Sequence, residues 1–537
     1  MTVADDTEAS NMREPFGSPD GASTDPGTFV EFDSVMQWQD LALPAKDKTV
    51  RILVGRRGSG KSRYLRRIEL EAQSENIVFA QPAELINLNH LKSIGIQFPE
   101  KELRLEVWER IWNAAIYSSL CTFLLYHNKI PSGKNLNVSI ETKNFLHEKK
   151  DKFFKSNNRP RSVVQSLNEI LRKKSTQNTL LEFINDPDWS EIEQFVIETI
   201  SQSSPVFIFI DVLDDNFASA PKESIDCQLG LINWIMKRIS DPRISHRLHL
   251  VISVRDTVYA SLLDSPNGAR YNQRNFIRCL DWNHASAAYF LEKKISTLPM
   301  DFMAQHVRGK TPIQNWLGIE NVVNEHRNNI EEDITDYLLR HTRCLPREIV
   351  EIGNALATTI GRNNVIGKKL DSKEIRSLIG SKARTLAVKG LEEVAHHLMA
   401  LEGVRQETFG TFELYKVWMT DILTGTFLSE IKSEQFDFNQ LNSAEKEFHK
   451  KVTWWNSDSG AKLNVYDIFW QHGFIGVQRN GDPEEIVRFF HSYSHSQGEP
   501  TSKLPVGRLV NFYFLHSSLV DGISVPATNI APRFMLE

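Results

Sequence analysis

The stretch that most constrains this chain is Thr49 to Arg67, TVRILVGRRGSGKSRYLRR. A short apolar run (Val50, Ile52, Leu53, Val54) enters a glycine-rich loop, and the loop opens into a helical pattern. Gly55, Gly60, Lys61 and Ser62 occupy the fixed positions of G-x-x-x-x-G-K-S in the strand–loop–helix setting that motif requires. Gly55, Gly58 and Gly60 permit backbone conformations that a side chain blocks, so successive N–H groups turn inward on phosphate oxygens. A helix beginning near Lys61 adds its positive N-terminal end. The phosphate-contacting set is then Gly55, Arg57, Gly58, Ser59, Gly60, Lys61, Ser62 and Arg63. Lys61 is expected to reach the β- and γ-phosphates and Ser62 to ligate Mg²⁺, which predicts nucleoside triphosphate binding.

Such a loop needs an acid for the metal. Pro205 to Asp211, PVFIFID, is a continuous apolar run ending in a carboxylate, the pattern of a fully buried parallel strand. Ligands bind at the C-terminal ends of strands in open α/β sheets, so Asp211 is the expected Mg²⁺ partner of Ser62. Asp214, three residues on, is the candidate for orienting or deprotonating the attacking water, with Asp215 the weaker alternative. Helix capping or a plain turn is the competing role for both. Leu248 to Val254, LHLVISV, predicts another buried strand, ending at Arg255 and Asp256. If it lies beside the acid-bearing strand, Arg255 is placed to sense the γ-phosphate. An ion pair with Asp256 or a nearby carboxylate is the alternative.

The rest of the chain divides around this core. The 537 residues suggest three or four domains at about 150 residues each. Residues 1–28, rich in Asp, Ser, Gly and Pro, predict a disordered tail. Residues 29–285 predict the nucleotide-binding domain, with a helical insertion at 85–200. Within it, Leu105, Trp108, Ile111, Trp112, Ala115, Ile116, Leu120 and Phe123 recur at helical spacing and predict one amphipathic face, the two tryptophans packing in the core. Lys143 to Lys174 carries ten Lys or Arg against three acids, a net +7. That run reads either as a solvated helical surface, the commoner meaning, or as a nucleic-acid contact. Residues 286–365 predict a helical lid in which Pro346 opens a second helix, flanked by Arg343 and Arg347. Those arginines are candidates to reach phosphates or else ordinary surface residues of a helical hairpin. A linker helix (366–400), a helix-then-hairpin pattern of winged-helix type (401–525) and a loose tail (526–537) complete the reading.

Composition excludes several classes. Net charge is −5, so the whole chain is not an electrostatic nucleic-acid binder. Cys121, Cys227, Cys279 and Cys344 form no C-x-x-C pair, which argues for reduced thiols and a cytoplasmic location. No apolar run approaches the roughly 18 residues of a membrane span, and no signal-peptide pattern is expected at the start. His246/His249 and His491/His495 have metal-compatible spacings but no convincing third ligand.

GRRGSGKS, FIDVLDD, LVISVRD, the helical TRCLPRE segment and the winged-helix pattern together resemble the STAND branch of P-loop ATPases, related to the AAA+ and NACHT groups. They are similar in particular to bacterial members that carry a C-terminal winged helix and serve antiviral defence. The motifs cover residues 48–360, and 401–520 is similar only in shape. The resemblance implies an α/β P-loop domain with a mainly parallel sheet, ATP and Mg²⁺ as ligands, Asp211 on the metal, Arg255 as sensor and Pro346 as the lid proline. Two departures stand out: Val212 follows Asp211 where an acid is usual, and Cys344 and Leu345, not glycine, precede Pro346. The first implies slow hydrolysis, or nucleotide held without hydrolysis. No repeat array or effector motif follows, so the resemblance implies a separate effector protein or a homo-oligomer as partner. ATP is expected over GTP because no N-K-x-D motif is placed to read guanine.

Overall fold

The structure, a computed structural model, describes residues 14–19, 51–79, 85–127, 134–155, 158–211, 221–239, 241–243, 247–263, 277–280, 282–305, 309–325, 329–402, 412–452, 464–481, 483, 486–489, 503–507, 510–523 and 533–536. These fall into two compact units. One holds the residues from 51 to 57 and from 61 to 280, the other those from 14 to 19, 58 to 60 and 282 to 536.

The first unit is an α/β layer built on a five-stranded, all-parallel sheet in the order β2-β3-β4-β1-β5. Its strands are β1 (Ile52–Gly55), β2 (Ile77–Phe79), β3 (Val206–Asp211), β4 (Leu248–Arg255) and β5 (Ile277–Cys279). Parallel neighbours need long crossovers, and helices supply them: α1 (Lys61–Glu75), then an insertion of α2 (Leu88–Gln97), α3 (Lys101–Tyr126), α4 (Ile140–Phe153), α5 (Val163–Lys173), α6 (Gln177–Ile184) and α7 (Asp188–Ser201), then α8 (Pro221–Ile239) and α9 (Asp256–Leu263). The runs VFIFI and LHLVISVR are buried along their whole length, as strands covered on both faces must be. His249, the only polar ring in β4, stacks on Phe207 at 4.3 Å.

Helix α3 differs from its expected single apolar face. Every residue from Ala114 to Leu124 is buried. The insertion satisfies two of the polar ones: Ser118 Oγ donates to the Phe153 carbonyl at 3.2 Å, and Ser119 Oγ to that of Arg161 at 2.8 Å. Trp108 and Trp112 are fully buried, as expected, and Trp112 Nε1 donates to the Cys227 carbonyl of α8. Gly230 of α8 lets the two helices meet, since a Cβ there would stand 2.5 Å from Trp108 Cβ. In the basic run, Lys149 and Lys152 pair with Asp188 and Arg172 and Lys173 with Glu169, the pattern of a helical surface neutralised locally.

The second unit begins with α10 (His284–Ser296), α11 (Pro312–Leu317), the hairpin β6 (Asn321–Asn324) and β7 (Ile330–Asp333), α12 (Ile334–Leu339), α13 (Pro346–Val365) and the long α14 (Ser372–Glu402). It continues with α15 (Phe412–Ile422), β8 (Gln435–Phe436), α16 (Phe438–Lys451), α17 (Val465–Gln471), β9 (Ile475–Arg479), β10 (Ile486–Phe489), β11 (Val510–Leu515), α18 (Ser517–Ile523) and β12 (Arg533–Leu536). The last strands form a sheet ordered β12-β10-β9-β11-β8. Helix α17 followed by the antiparallel β9–β10 pair matches the expected helix-then-hairpin. Residues 533–536 correct the expectation of a loose tail: they pair in parallel with β10. Residues 14–19 correct it at the other end, because Phe16 is 2% exposed. Residues 1–13 and 20–28 lie outside the described residues. No described helix is long and apolar enough to cross a membrane.

Candidate phosphate-binding site

In the first unit, β1 ends at Gly55 and α1 starts at Lys61, as the motif requires. Lys61 is 6% exposed. A buried charge must be hydrogen-bonded, and Nζ donates to the carbonyls of Gly55 at 3.0 Å and Arg56 at 3.1 Å. Ser62 follows it, half-buried in the first helical turn, with Arg63 beside it.

Strand β4 lies between the loop strand and the acid strand. Its Arg255 is in register with Gly55 and its Ser253 with Asp211. β3 is buried up to Ile210 and exposed at Asp211. The Ser253 hydroxyl, wholly buried, donates to the Asp211 carboxylate. Arg255 is 5% exposed at the strand tip. Asp256, the partner the sequence offered it, instead pairs with Arg56 at 3.3 Å and accepts from the Thr257 N–H. Asp214, Asp215 and Val212 lie outside the described residues, so the water-orienting acid has no structural account.

In the second unit, Gly58 and Gly60 take φ of +86° and +94°, the region that favours glycine. The Gly58 carbonyl accepts from the Arg347 N–H at 3.2 Å, and the Ser59 carbonyl from Trp282 Nε1 at 2.9 Å. Ser59 Oγ is buried without a hydrogen-bond partner, an orphan that an incoming acceptor would satisfy. Pro346 sits in the first turn of α13, as expected. Arg57 is exposed and Gly58 and Gly60 half-buried.

No protein-family model matches this chain. No curated protein matches it either. The reading of the site therefore rests on its own chemistry.

The two arginines flanking Pro346 part company. Arg343 is not available to phosphate: its guanidinium donates to Glu348 at 2.6 and 2.8 Å and to Glu393 at 3.3 Å, and lies over Phe474. Burial alone would lower its pKa, but the two carboxylates outweigh that and hold it raised. The missing motif glycine also has a structural answer. Cys344 itself adopts φ +56°, so a residue with a side chain takes the left-handed conformation that glycine favours. Arg347 donates from Nε to the carbonyl of Pro19 at 3.2 Å. Sequence reasoning missed Ser253, a polar residue inside an apolar run, and Asn354, which hydrogen-bonds the main chain of Phe16 and Gly17. Among the described residues no group of three or more His, Cys, Asp or Glu is arranged to hold a metal, and His249 is a core residue.

Proposed function

We propose that this protein is an ATP-binding molecular switch of the STAND/AAA+ type that hydrolyses slowly. The observation that carries the reading is the buried Lys61 ammonium resting on two loop carbonyls at the start of α1. An ammonium held this way at a helix N-terminus is chemically suited to exchange carbonyl oxygens for phosphate oxygens. Mg²⁺, held by Ser62 and Asp211, would neutralise phosphate charge there. Arg255 is the proposed sensor of the γ-phosphate, and Pro346 and Arg347 the proposed lid contacts.

In this reading residues 286–365 act as a helical lid and the α17–β9–β10 region as a winged helix that passes nucleotide state to a partner. Differential contacts to the γ-phosphate supply the bias between states. Val212 after Asp211 favours slow turnover. The resemblance makes bacterial antiphage defence the proposed setting, with a separate effector or further copies of the chain as partner. The four buried free thiols fit a cytoplasmic location. The local ion pairs of the basic run give no support to a nucleic-acid surface there.

The test is Lys61→Ala, read by titration with a fluorescent ATP analogue. The variant is expected to lose about 10–100-fold in affinity, the worth of a charged hydrogen-bonding group. Wild-type affinity in the variant overturns the proposal.

A further inference from the structure

Phe16 sits in a socket formed by three helices of the second unit. Its ring lies 4.9 Å from that of Trp316 in α11. Gly353 of α13 leaves the space: a Cβ there would stand 2.8 Å from the Phe16 ring. The main chain is recognised as closely as the ring. Asn354 accepts from the Phe16 N–H at 2.7 Å and donates to the Gly17 carbonyl at 3.0 Å. Lys294 of α10 donates to the Phe16 carbonyl at 3.0 Å, and Arg347 to that of Pro19. The segment folds on itself through a turn, Gly17 N–H to Glu14 carbonyl, with Gly17 at φ +88°. None of its described residues belongs to a strand or helix. Side chains of two helices read its Phe-Gly backbone, as they would that of a bound peptide.

We propose that residues 14–19 are a detachable peptide ligand of this socket, and that seating the ligand restrains Arg347 and, through it, Gly58. One buried ring and four hydrogen bonds against the ordering of six residues is a near balance, so both seated and released states are accessible. The Arg347 side chain is tied to Pro19 and its main chain to the Gly58 carbonyl, so the segment stands one residue away from the phosphate loop. The docking itself stands whether or not the loop binds nucleotide.

Hydrogen exchange on the full chain tests it. Phe16→Ala is expected to speed exchange about tenfold or more in fragments containing Trp316, Arg347 and Gly353, the effect of losing a buried ring. A synthetic peptide of residues 11–20, NMREPFGSPD, added in excess to that variant restores protection, and the same peptide with alanine for phenylalanine does not. Gly353→Ala fills the seat while favouring the helix, so it exposes Trp316 without loosening the rest of α13. Unchanged exchange in Phe16→Ala overturns the proposal. So does a variant that the peptide fails to rescue, because the segment is then a fixed part of the fold.

Discussion

The hydroxyl of Ser253 is hydrogen-bonded to the carboxylate of Asp211, and the two residues are in register across β4 and β3. The donor is wholly buried and the acceptor exposed, so one strand tip orients the acid of its neighbour. Partners of this kind fix the lone pairs that a metal uses. If Asp211 holds Mg²⁺, Ser253→Ala weakens the Mg²⁺ dependence of ATP hydrolysis by about 10–100-fold, the usual effect of losing such a partner. A Mg²⁺ titration of phosphate release measures this, and an unshifted midpoint counts against Asp211 as the ligand.

Gly58 is constrained twice. Its φ is +86°, and a Cβ would stand 3.0 Å from Arg347 Cβ. Gly58→Ala therefore strains the loop by about 1–2 kcal/mol, and if the loop binds triphosphate in this conformation, affinity falls about five- to thirtyfold. Calorimetric titration with ATP reads the loss. Gly60→Ala, at φ +94°, is expected to do the same.

What the sequence made legible follows from where its information is local. The loop with Gly55, Lys61 and Ser62, and the strands ending at Asp211 and Arg255, are written as short uninterrupted apolar runs and turn residues. That β4 would lie beside β3 was only conditional, because strand order depends on crossovers that no local pattern encodes. The full burial of α3 from Ala114 to Leu124 was hidden by Ser118 and Ser119, which look like a solvent face until the insertion brings carbonyls to them. Phe16 was averaged away by its Asp-, Gly- and Pro-rich surroundings, and its seat lies on residues three hundred positions later. Arg343 looked free because Glu393, one of its two carboxylate partners, comes from a distant helix.

Arg104 and Asp226 are a buried pair joining α3 to α8, their side chains 2% and 3% exposed at 2.6 Å. Burial pushes the Asp226 carboxyl up and Arg104 pulls it back. Arg104→Met leaves that carboxylate without its cation and also removes donors from the Phe98 and Pro99 carbonyls. A loss of about 3–5 kcal/mol is expected. Urea unfolding, followed by Trp fluorescence, measures it. Adding Asp226→Leu to the variant should recover much of the loss, because the buried charge then goes with its partner.

Asp467 gives a pH dependence of defined sign. It lies at the third position of α17, accepting from the Asn464 N–H at 2.7 Å and the Leu504 N–H at 2.8 Å. Burial pushes its carboxyl from the ordinary 3.8 up to about 6, against the pull of those two donors and with Glu445 adding repulsion. Between those two values the folded state holds a proton that the unfolded state has released. Stability from this group therefore falls as pH rises from 3.8 through 6 and is level above. Wild type should lose roughly 2–3 kcal/mol across that window relative to Asp467→Asn, which cannot titrate. Asparagine accepts only one of the two N–H bonds, so the variant carries a constant offset and the difference in slope is the diagnostic quantity. Thermal midpoints of both chains at closely spaced pH values measure it. A difference that stays flat from acid to neutral pH means that Asp467 titrates as an ordinary carboxylate.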